Sequence, residues 1–188
     1  MNLLTIATDG FEDVELLATS AILRRSGFQV DLYSLHPQPF ITGSYQTKVI
    51  PLGHLAEIDV AKYDGIFLPG GAHTAALRNH SGVLDLVTHF VQHQKWTMAI
   101  CAAPSILGVL GFLDGKHYTC FPGFESYMKQ GIHVNQKAVR DGFIITGAGA
   151  GASLEFAFTI IETIQGKEQA EQIKQKTRYL IEPSEGSL

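Results

Sequence analysis

Cysteine is scarce in this chain of 188 residues. There are two, Cys101 and Cys120, and their spacing matches neither a disulfide framework nor a metal-binding pattern. A fold stapled by disulfides is thereby excluded, and a reducing, cytoplasmic setting is expected. Basic clusters are also missing: 14 Lys and Arg stand against 18 Asp and Glu, for a formal net charge of −4. Without a basic stripe a nucleic-acid partner is not expected. No run of eighteen apolar residues occurs, and the segment from Met1 to Gly10 lacks the basic flank and the apolar length of a secretion signal. A soluble intracellular protein without membrane contact is the expectation. Repeats, low-complexity tracts and an internal linker are absent too. Residues 1–188 are therefore expected to form a single domain, with only the tail after about Lys176 loosely packed.

What is present is rather apolar. Hydrophobic residues make up 45%, charged residues only 17%, and mean hydropathy is +0.10. Such a chain has apolar surface to spare, which points to a partner subunit.

Leu3 to Ala7 forms an apolar strand signal ending in Thr8-Asp9-Gly10, and from Glu12 the pattern becomes helical. Val14, Leu17, Ala18, Ala21 and Ile22 fall at the spacing of one helix face, and Ser26-Gly27 stops the helix. Phe28 to Leu35 alternates as a second strand, completing a strand–helix–strand unit long enough for a parallel crossover. His36 to Gly53, punctuated by Pro37, Pro39, Gly43 and Pro51, is loop or edge strand. Gly65-Ile-Phe-Leu-Pro-Gly-Gly71 is a buried strand entering a glycine turn. A helix from about Ser81 to Gln94 then carries Val83, Val87, Phe90 and Val91 inward, and Trp96 to Ile100 is the next strand. Asp141-Gly142 predicts a hairpin turn, and a closing helix spans about Ala152 to Ile164, apolar nearly all round and hence covered on more than one side. The order predicts an α/β sandwich around a largely parallel sheet.

Cys101 stands where the strand Trp96–Ile100 meets a helix start marked by Pro104, with Ala99, Ala102 and Ala103 small enough for a tight strand-to-helix elbow. A helix N-terminus favours thiolate over thiol, so an acidic, reactive cysteine is expected. The bland alternative is one more small buried residue. Ligands in open α/β sheets gather at the carboxyl ends of strands, which brings Asp9 to Glu15, Pro69 to His73 and the Cys101 turn together. Gly70 and Gly71 offer backbone N–H groups to an oxyanion, or simply end a strand. Glu15 either decorates a helix start or, desolvated beside the sulfur, keeps its proton and serves as the acid/base partner. His73 is either a spare base at the site mouth or an exposed loop histidine. His89 and His93, spaced i, i+4, lack a third ligand and are expected to be solvated; no metal site is expected.

Phe11-Glu-Asp-Val-Glu15, Phe67-Leu-Pro-Gly-Gly71, Ala99-Ile-Cys-Ala-Ala-Pro104, Thr119-Cys-Phe-Pro122 and Gly147-Ala-Gly-Ala-Gly-Ala-Ser-Leu-Glu155 together resemble the DJ-1/ThiJ/PfpI superfamily, especially small bacterial ThiJ-type members. The resemblance covers nearly the whole chain. It implies a flavodoxin-like three-layer sandwich with a nucleophile elbow, a homodimer, Cys101 as oxidisable nucleophile and Glu15 as its carboxyl partner. It also implies Gly70, Gly71 and Ala102 as backbone donors, and a pocket lined by His73, Cys120, Phe121 and Ala150. Ala102 stands where the protease and heat-shock branches place a histidine after the nucleophile, so a Cys-His dyad of that kind is not expected. Phe121 replaces a histidine of the animal branch, and Tyr45 and Ala148 replace two arginines, leaving a less cationic pocket.

Three functions follow from the resemblance. One is a cysteine-dependent glyoxalase or deglycase acting on small carbonyls such as methylglyoxal, without glutathione and without a cofactor. A second is a redox sensor or chaperone controlled by oxidation of Cys101. The third, a step in thiazole monophosphate biosynthesis, needs a phosphate site, for which Gly147 to Gly151 has no accompanying lysine or arginine.

Overall fold

The computed structural model describes residues 1–180. In chain order these form β1 (Asn2–Ala7), α1 (Asp13–Arg25), β2 (Gln29–Ser34), β3 (Ile41–Thr42), β4 (Lys48–Val49), β5 (Gly53–His54), β6 (Gly65–Leu68), α2 (Thr74–Arg78), α3 (Ser81–Gln92) and β7 (Trp96–Ile100). There follow α4 (Pro104–Val109), β8 (His117–Tyr118), β9 (Ile132–His133), β10 (Ala138–Asp141), β11 (Ile144–Gly147), α5 (Ser153–Gln165) and α6 (Lys167–Lys176). Seven strands make the central sheet in the order β10-β11-β7-β6-β1-β2-β5, parallel throughout except for β10 against β11. The expected flavodoxin-like α/β sandwich is the observed fold.

The period of two along each strand sorts side chains between the two faces. Leu3, Phe67, Met98 and Ile100 point into one core layer, shared with Leu16 and Leu23 of α1 and Phe156, Ile160 and Ile161 of α5. Leu4, Ile6, Ile66, Leu68 and Ala99 point into the other, closed by Val83, Val87 and Phe90 of α3 and by Ile106 and Leu107 of α4. Both faces are covered, so the inner strands are apolar runs rather than alternating ones. α5 packs against α1, α6 and the strand edge, which is why it is apolar on several sides.

The connection from β1 leads through α1 to β2 on one side, whereas that from β6 leads through α2 and α3 to β7 on the other. The loops after β1 and β6 therefore diverge and leave a crevice between neighbouring strand ends. That is the topological switch point at which α/β sheets bind ligands.

Several local expectations are revised. Of the helix face made by Val14, Leu17, Ala18, Ala21 and Ile22, only Ile22 reaches the core: Val14, Leu17 and Ala21 are exposed, while Glu15, Leu16, Thr19, Ser20 and Leu23 are buried with it. α1 carries apolar residues on two faces, and periodicity alone does not say which of them meets the sheet. The hairpin turn lies one residue later than predicted, at Gly142-Phe143, because Asp141 pairs with Ile144. Gly142 takes φ 61°, and the Asp141 carboxylate instead accepts the His117 N–H at 2.9 Å. α6 adds a helix after the one expected to close the chain. The tail is also held further than expected: the Tyr179 hydroxyl donates to Glu155 at 2.6 Å, and its ring lies 4.7 Å from that of Phe158. The rest of that expected loose tail, residues 181–188, lies outside the described residues.

Candidate active site

Cys101 follows β7 directly and adopts φ 65°, a left-handed conformation that is uncommon for a residue with a Cβ. The surrounding backbone holds it there. Its N–H donates to the Gly147 carbonyl of the neighbouring strand at 2.9 Å, its carbonyl accepts the Phe121 N–H at 2.9 Å, and the Ala103 N–H closes the turn onto Ile100 at 3.0 Å. Backbone strain of this kind persists where the neighbourhood over-determines it, and it clusters at functional sites. Pro104 occupies the first turn of α4, as its missing N–H favours.

Glu15 is fully buried at the start of α1. Its Oε2 accepts the Gly70 N–H at 2.7 Å, and its Oε1 is buried without a hydrogen-bond partner. Gly70 is required here for space. A Cβ on it would stand 2.7 Å from both Cys101 Cβ and Glu15 Oε2, and 2.9 Å from the Ile100 carbonyl. The glycine thus lets three chain segments meet. Gly71, with φ 107°, is equally constrained, since a Cβ there would lie 2.4 Å from the Glu12 nitrogen. Strand-like bonding across this point, with the Glu12 N–H on the Gly70 carbonyl at 2.9 Å, ties the loops after β1 and β6 together.

Burial raises the Glu15 pKa to about 7, although the Cys101 thiol and the Gly70 N–H both pull it down. The nearby charge of Glu12 adds to the rise. The thiol does not behave as its position at a helix start predicts. Burial first, then the charge and hydrogen bonding of Glu15, push the Cys101 pKa up, and the Ala102 N–H opposes them. α4 has only six residues and begins beyond Ala103, so the stabilisation offered to a thiolate is that one N–H. The pair titrates as a unit. It carries at most one negative charge near neutral pH, and while Glu15 is ionised that charge sits on the carboxylate with the thiol as its neighbour.

The other expected site residues divide. The Ala102 N–H acts on the sulfur, where it lowers the thiol pKa. The Gly70 N–H is not an oxyanion donor, because Glu15 already occupies it; the Gly71 N–H has no partner among the described residues. His73 is not an exposed base. It is 3% exposed, its Nδ1 accepts the Thr8 N–H at 3.2 Å and its Nε2 donates to the Pro69 carbonyl at 3.0 Å, with burial lowering its pKa to about 4. It is a neutral tie between the loops after β1 and β6. Phe121 is half exposed, with its ring against Gly149. Gly149, which sequence reasoning passed over in favour of Ala150, is the residue at the sulfur, since a Cβ there would reach 3.9 Å from Cys101 Sγ. Ala150 opens the short turn before α5 and accepts the Ser153 hydroxyl at 2.8 Å. Cys120 is buried, and burial together with the charge of Glu125 raises its pKa to about 12. His89 and His93 stack at 4.1 Å, and His93 Nδ1 is tied to the His89 carbonyl at 2.8 Å.

Missing from the sequence reading was Asp13. This buried carboxylate accepts the N–H groups of Tyr45 at 2.9 Å and Thr47 at 3.2 Å, fixing the β3–β4 hairpin beside α1. Burial would raise its pKa, but the Thr47 hydroxyl and the two N–H groups outweigh that and lower it. An acidic residue two positions before Glu15, facing a Gly-Ser-Tyr-Gln turn, was the available signal.

Residues 1–163 match the DJ-1/PfpI family. Protein dj-1beta of Drosophila melanogaster is 32% identical over 173 residues, covering 90% of this chain and 92% of that protein. The crystal structure of Drosophila DJ-1beta superposes with a TM-score of 0.87 at 30% identity, covering 94% of this chain and 97% of that one. The glutathione-independent glyoxalase DJR-1.2 of Caenorhabditis elegans is 27% identical, over 96% of this chain and 94% of its own. The isonitrile hydratase of Pseudomonas putida is 28% identical over 127 residues, covering 66% of this chain and 56% of the hydratase. Among the described residues no helix is long and apolar enough to cross a membrane.

Two variants test this geometry. Native Glu15 holds its proton up to a pH of about 7, whereas the unfolded chain releases it near 4.5. The native state therefore binds more protons in that window, and stability falls as pH rises through it. Glu15→Gln, freed of this penalty, is expected to gain about 3 kcal/mol over wild type in denaturant unfolding at pH 8 and little at pH 4. In the same variant thiolate absorbance of Cys101 should appear at lower pH. Gly70→Ala drives a methyl group between Cys101 and Glu15. It should slow any Cys101-dependent turnover about a hundredfold while circular dichroism stays that of a folded protein.

Proposed function

This chain belongs to the DJ-1/PfpI family, and from that premise we propose that it is a cysteine-dependent enzyme acting on small reactive carbonyls such as methylglyoxal without glutathione. The family includes a glutathione-independent glyoxalase and a hydratase. The observation that carries the reading is the carboxyl of Glu15, buried, with one oxygen unbound and the Cys101 thiol as its neighbour.

In the proposed reaction the sulfur of Cys101 attacks the aldehyde carbon while Glu15, as carboxylate, takes the thiol proton. No free thiolate has to form beforehand, which matches the upward pressure on the thiol pKa. The developing oxyanion accepts hydrogen bonds from the Ala102 and Gly71 N–H groups and takes from Glu15 the proton that came off the thiol, which gives a hemithioacetal and returns Glu15 to the carboxylate form. Glu15 then removes the proton from the former aldehyde carbon and returns it to the adjacent ketone carbon through an enediol, while the hydroxyl proton passes from the first oxygen to the second. A thioester of lactate results, and water hydrolyses it to lactate and free thiol. Gly70 holds the carboxyl in place throughout. Atoms and electrons balance as methylglyoxal plus water giving lactate, with no external oxidant.

One observation favours a second reading, in which oxidation of Cys101 is itself the functional event. A carboxyl with a pKa of about 7 is partly protonated near neutrality and can donate to the oxygen of a sulfinate.

We further propose that a second copy of the chain covers the outward face of α1 and the β3–β4 region. Val14 and Leu17 are exposed there, with Tyr45 at 74%, Ile50 at 82% and Leu52 at 68%. Leu16, Leu17, Ala21, Val49 and Ile50 border a groove of about 400 Å³ on this side. The face is continuous with the site, since Val14 precedes Glu15 and Asp13 anchors the hairpin.

Lactate formation from methylglyoxal without glutathione, followed for wild type, Cys101→Ser and Glu15→Gln, tests the enzymatic reading. Both variants should fall to background. No turnover above background in the wild type would overturn it and leave Cys101 oxidation, followed by mass spectrometry under peroxide, as the reading to pursue. The second-copy proposal expects light scattering to report a dimer for wild type and a monomer for a double Ile50→Asp, Leu52→Asp variant; a monomeric wild type would refute it.

A further inference from the structure

Beyond Cys101 and Glu15, the described residues contain a second grouping of chemistry-bearing side chains. Cys120 Sγ, a carboxylate oxygen of Glu125 and a ring nitrogen of His133 lie within 4.8 Å of one another. They come from three separate pieces of chain. Cys120 follows β8, Glu125 opens a short helical turn, and His133 ends β9. Parallel pairing of β8 and β9 sets His133 opposite Tyr118, their rings 5.4 Å apart, and Cys120, two residues on, shares the core cluster of Tyr118. Sequence spacing of the form Cys-x4-Glu-x7-His matches no known ligand pattern, which is why the sequence alone pointed to no metal.

Each group has capacity to spare. Cys120 is 3% exposed and forms no disulfide. Glu125 accepts the Gly123 N–H on Oε2 at 2.7 Å and its own backbone N–H as well, which fixes the carboxylate while lone pairs remain to meet an ion. His133 is exposed and Glu125 half-buried, so an ion has a path to the buried sulfur. Tetrahedral coordination with bonds of 2.0–2.3 Å separates ligand atoms by roughly 3.5 Å. The residual closure of about 1 Å is within reach of a side-chain rotation at the exposed His133.

We propose that Cys120, Glu125 and His133 form a zinc-binding site, with water completing a four-coordinate shell. A thiolate, an imidazole and a carboxylate are the donor set that zinc accepts, whereas magnesium and calcium require oxygen ligands throughout. Coordination breaks the S–H bond of Cys120 and releases its proton to solvent; no electron changes hands. The site adjoins the wall of the Cys101 site, because Phe121 follows Cys120, donates its N–H to the Cys101 carbonyl and rests its ring on Gly149. A bound ion would brace that wall.

Cobalt serves as the spectroscopic probe, with zinc as its competitor. Titration of the intact chain with Co²⁺ should give the intense absorption of a cobalt–thiolate bond, saturating at one ion per chain and abolished by added Zn²⁺ but not by Mg²⁺. Cys101→Ser should keep the band and Cys120→Ser should lose it. His133→Ala, at an exposed position, should weaken binding by at least about tenfold. Absence of the band in wild type, its survival in Cys120→Ser, its loss in Cys101→Ser, or unchanged affinity in His133→Ala would each overturn the proposal. None of these readouts depends on carbonyl turnover.

Discussion

The burial of one carboxyl group organises the functional end of this molecule. Glu15 is removed from water entirely, and a single N–H, that of Gly70, meets one of its oxygens. An ionised carboxylate so placed is expensive, and the structure responds by raising its proton affinity rather than by pairing it with a cation. Everything nearby conforms to that choice. Gly70 lacks a side chain because one would strike both Glu15 and Cys101, and Cys101 accepts a left-handed backbone so that its sulfur stands at the carboxyl group. The result is a carboxyl group of raised proton affinity and a thiol held at one spot, with burial pressing both toward their neutral forms.

The sheet supplies the rigidity this requires. The loops that carry Glu15, Gly70 and Cys101 spring from β1, β6 and β7, strands covered on both faces and therefore fixed in register by two core layers. Cross-ties then bind the loops to one another: His73 between Thr8 and Pro69, the Glu12 N–H on Gly70, and the Cys101 N–H on Gly147. A histidine spent in this way cannot also act as a base, since its ring nitrogens are both engaged and burial holds it neutral. Rigidity at the switch point is thus gained by using groups that elsewhere perform chemistry.

The segment from Thr119 to His133 has a different character. With His117 and Tyr118 of β8 it forms a two-stranded parallel pair outside the main sheet, and it sets Phe121 against the Cys101 turn. Its buried thiol belongs to the second core layer and also lies within 4.8 Å of a carboxylate oxygen and an imidazole nitrogen. The two cysteines of this chain therefore occupy chemically distinct surroundings: Cys101 beside a carboxyl that keeps its proton up to about pH 7, Cys120 beside a carboxylate whose pKa is lowered, chiefly by hydrogen bonding.

Much of this was legible in the sequence. Apolar runs of strand length, glycine turns and helix stops determined the α/β order. Cys101 was marked by the small residues around it and by Pro104, and Glu15 by its place after a strand end. These are local signals, set by backbone sterics and by periodicity within a few residues. What they left undecided depends on groups distant in the chain. Which face of α1 meets the sheet is decided by the opposing layer, not by the spacing of Val14, Leu17 and Ala21. Whether Gly70 serves an oxyanion or a glutamate is decided by a partner 55 residues away. The acidity of Cys101 reverses because burial and a neighbouring carboxyl outweigh one N–H, and the grouping of Cys120, Glu125 and His133 exists only once β8 and β9 pair. By itself the sequence determined which residues sit at the strand ends; the tertiary structure alone decided their protonation and their partners, because desolvation and hydrogen bonding depend on distance in space rather than along the chain.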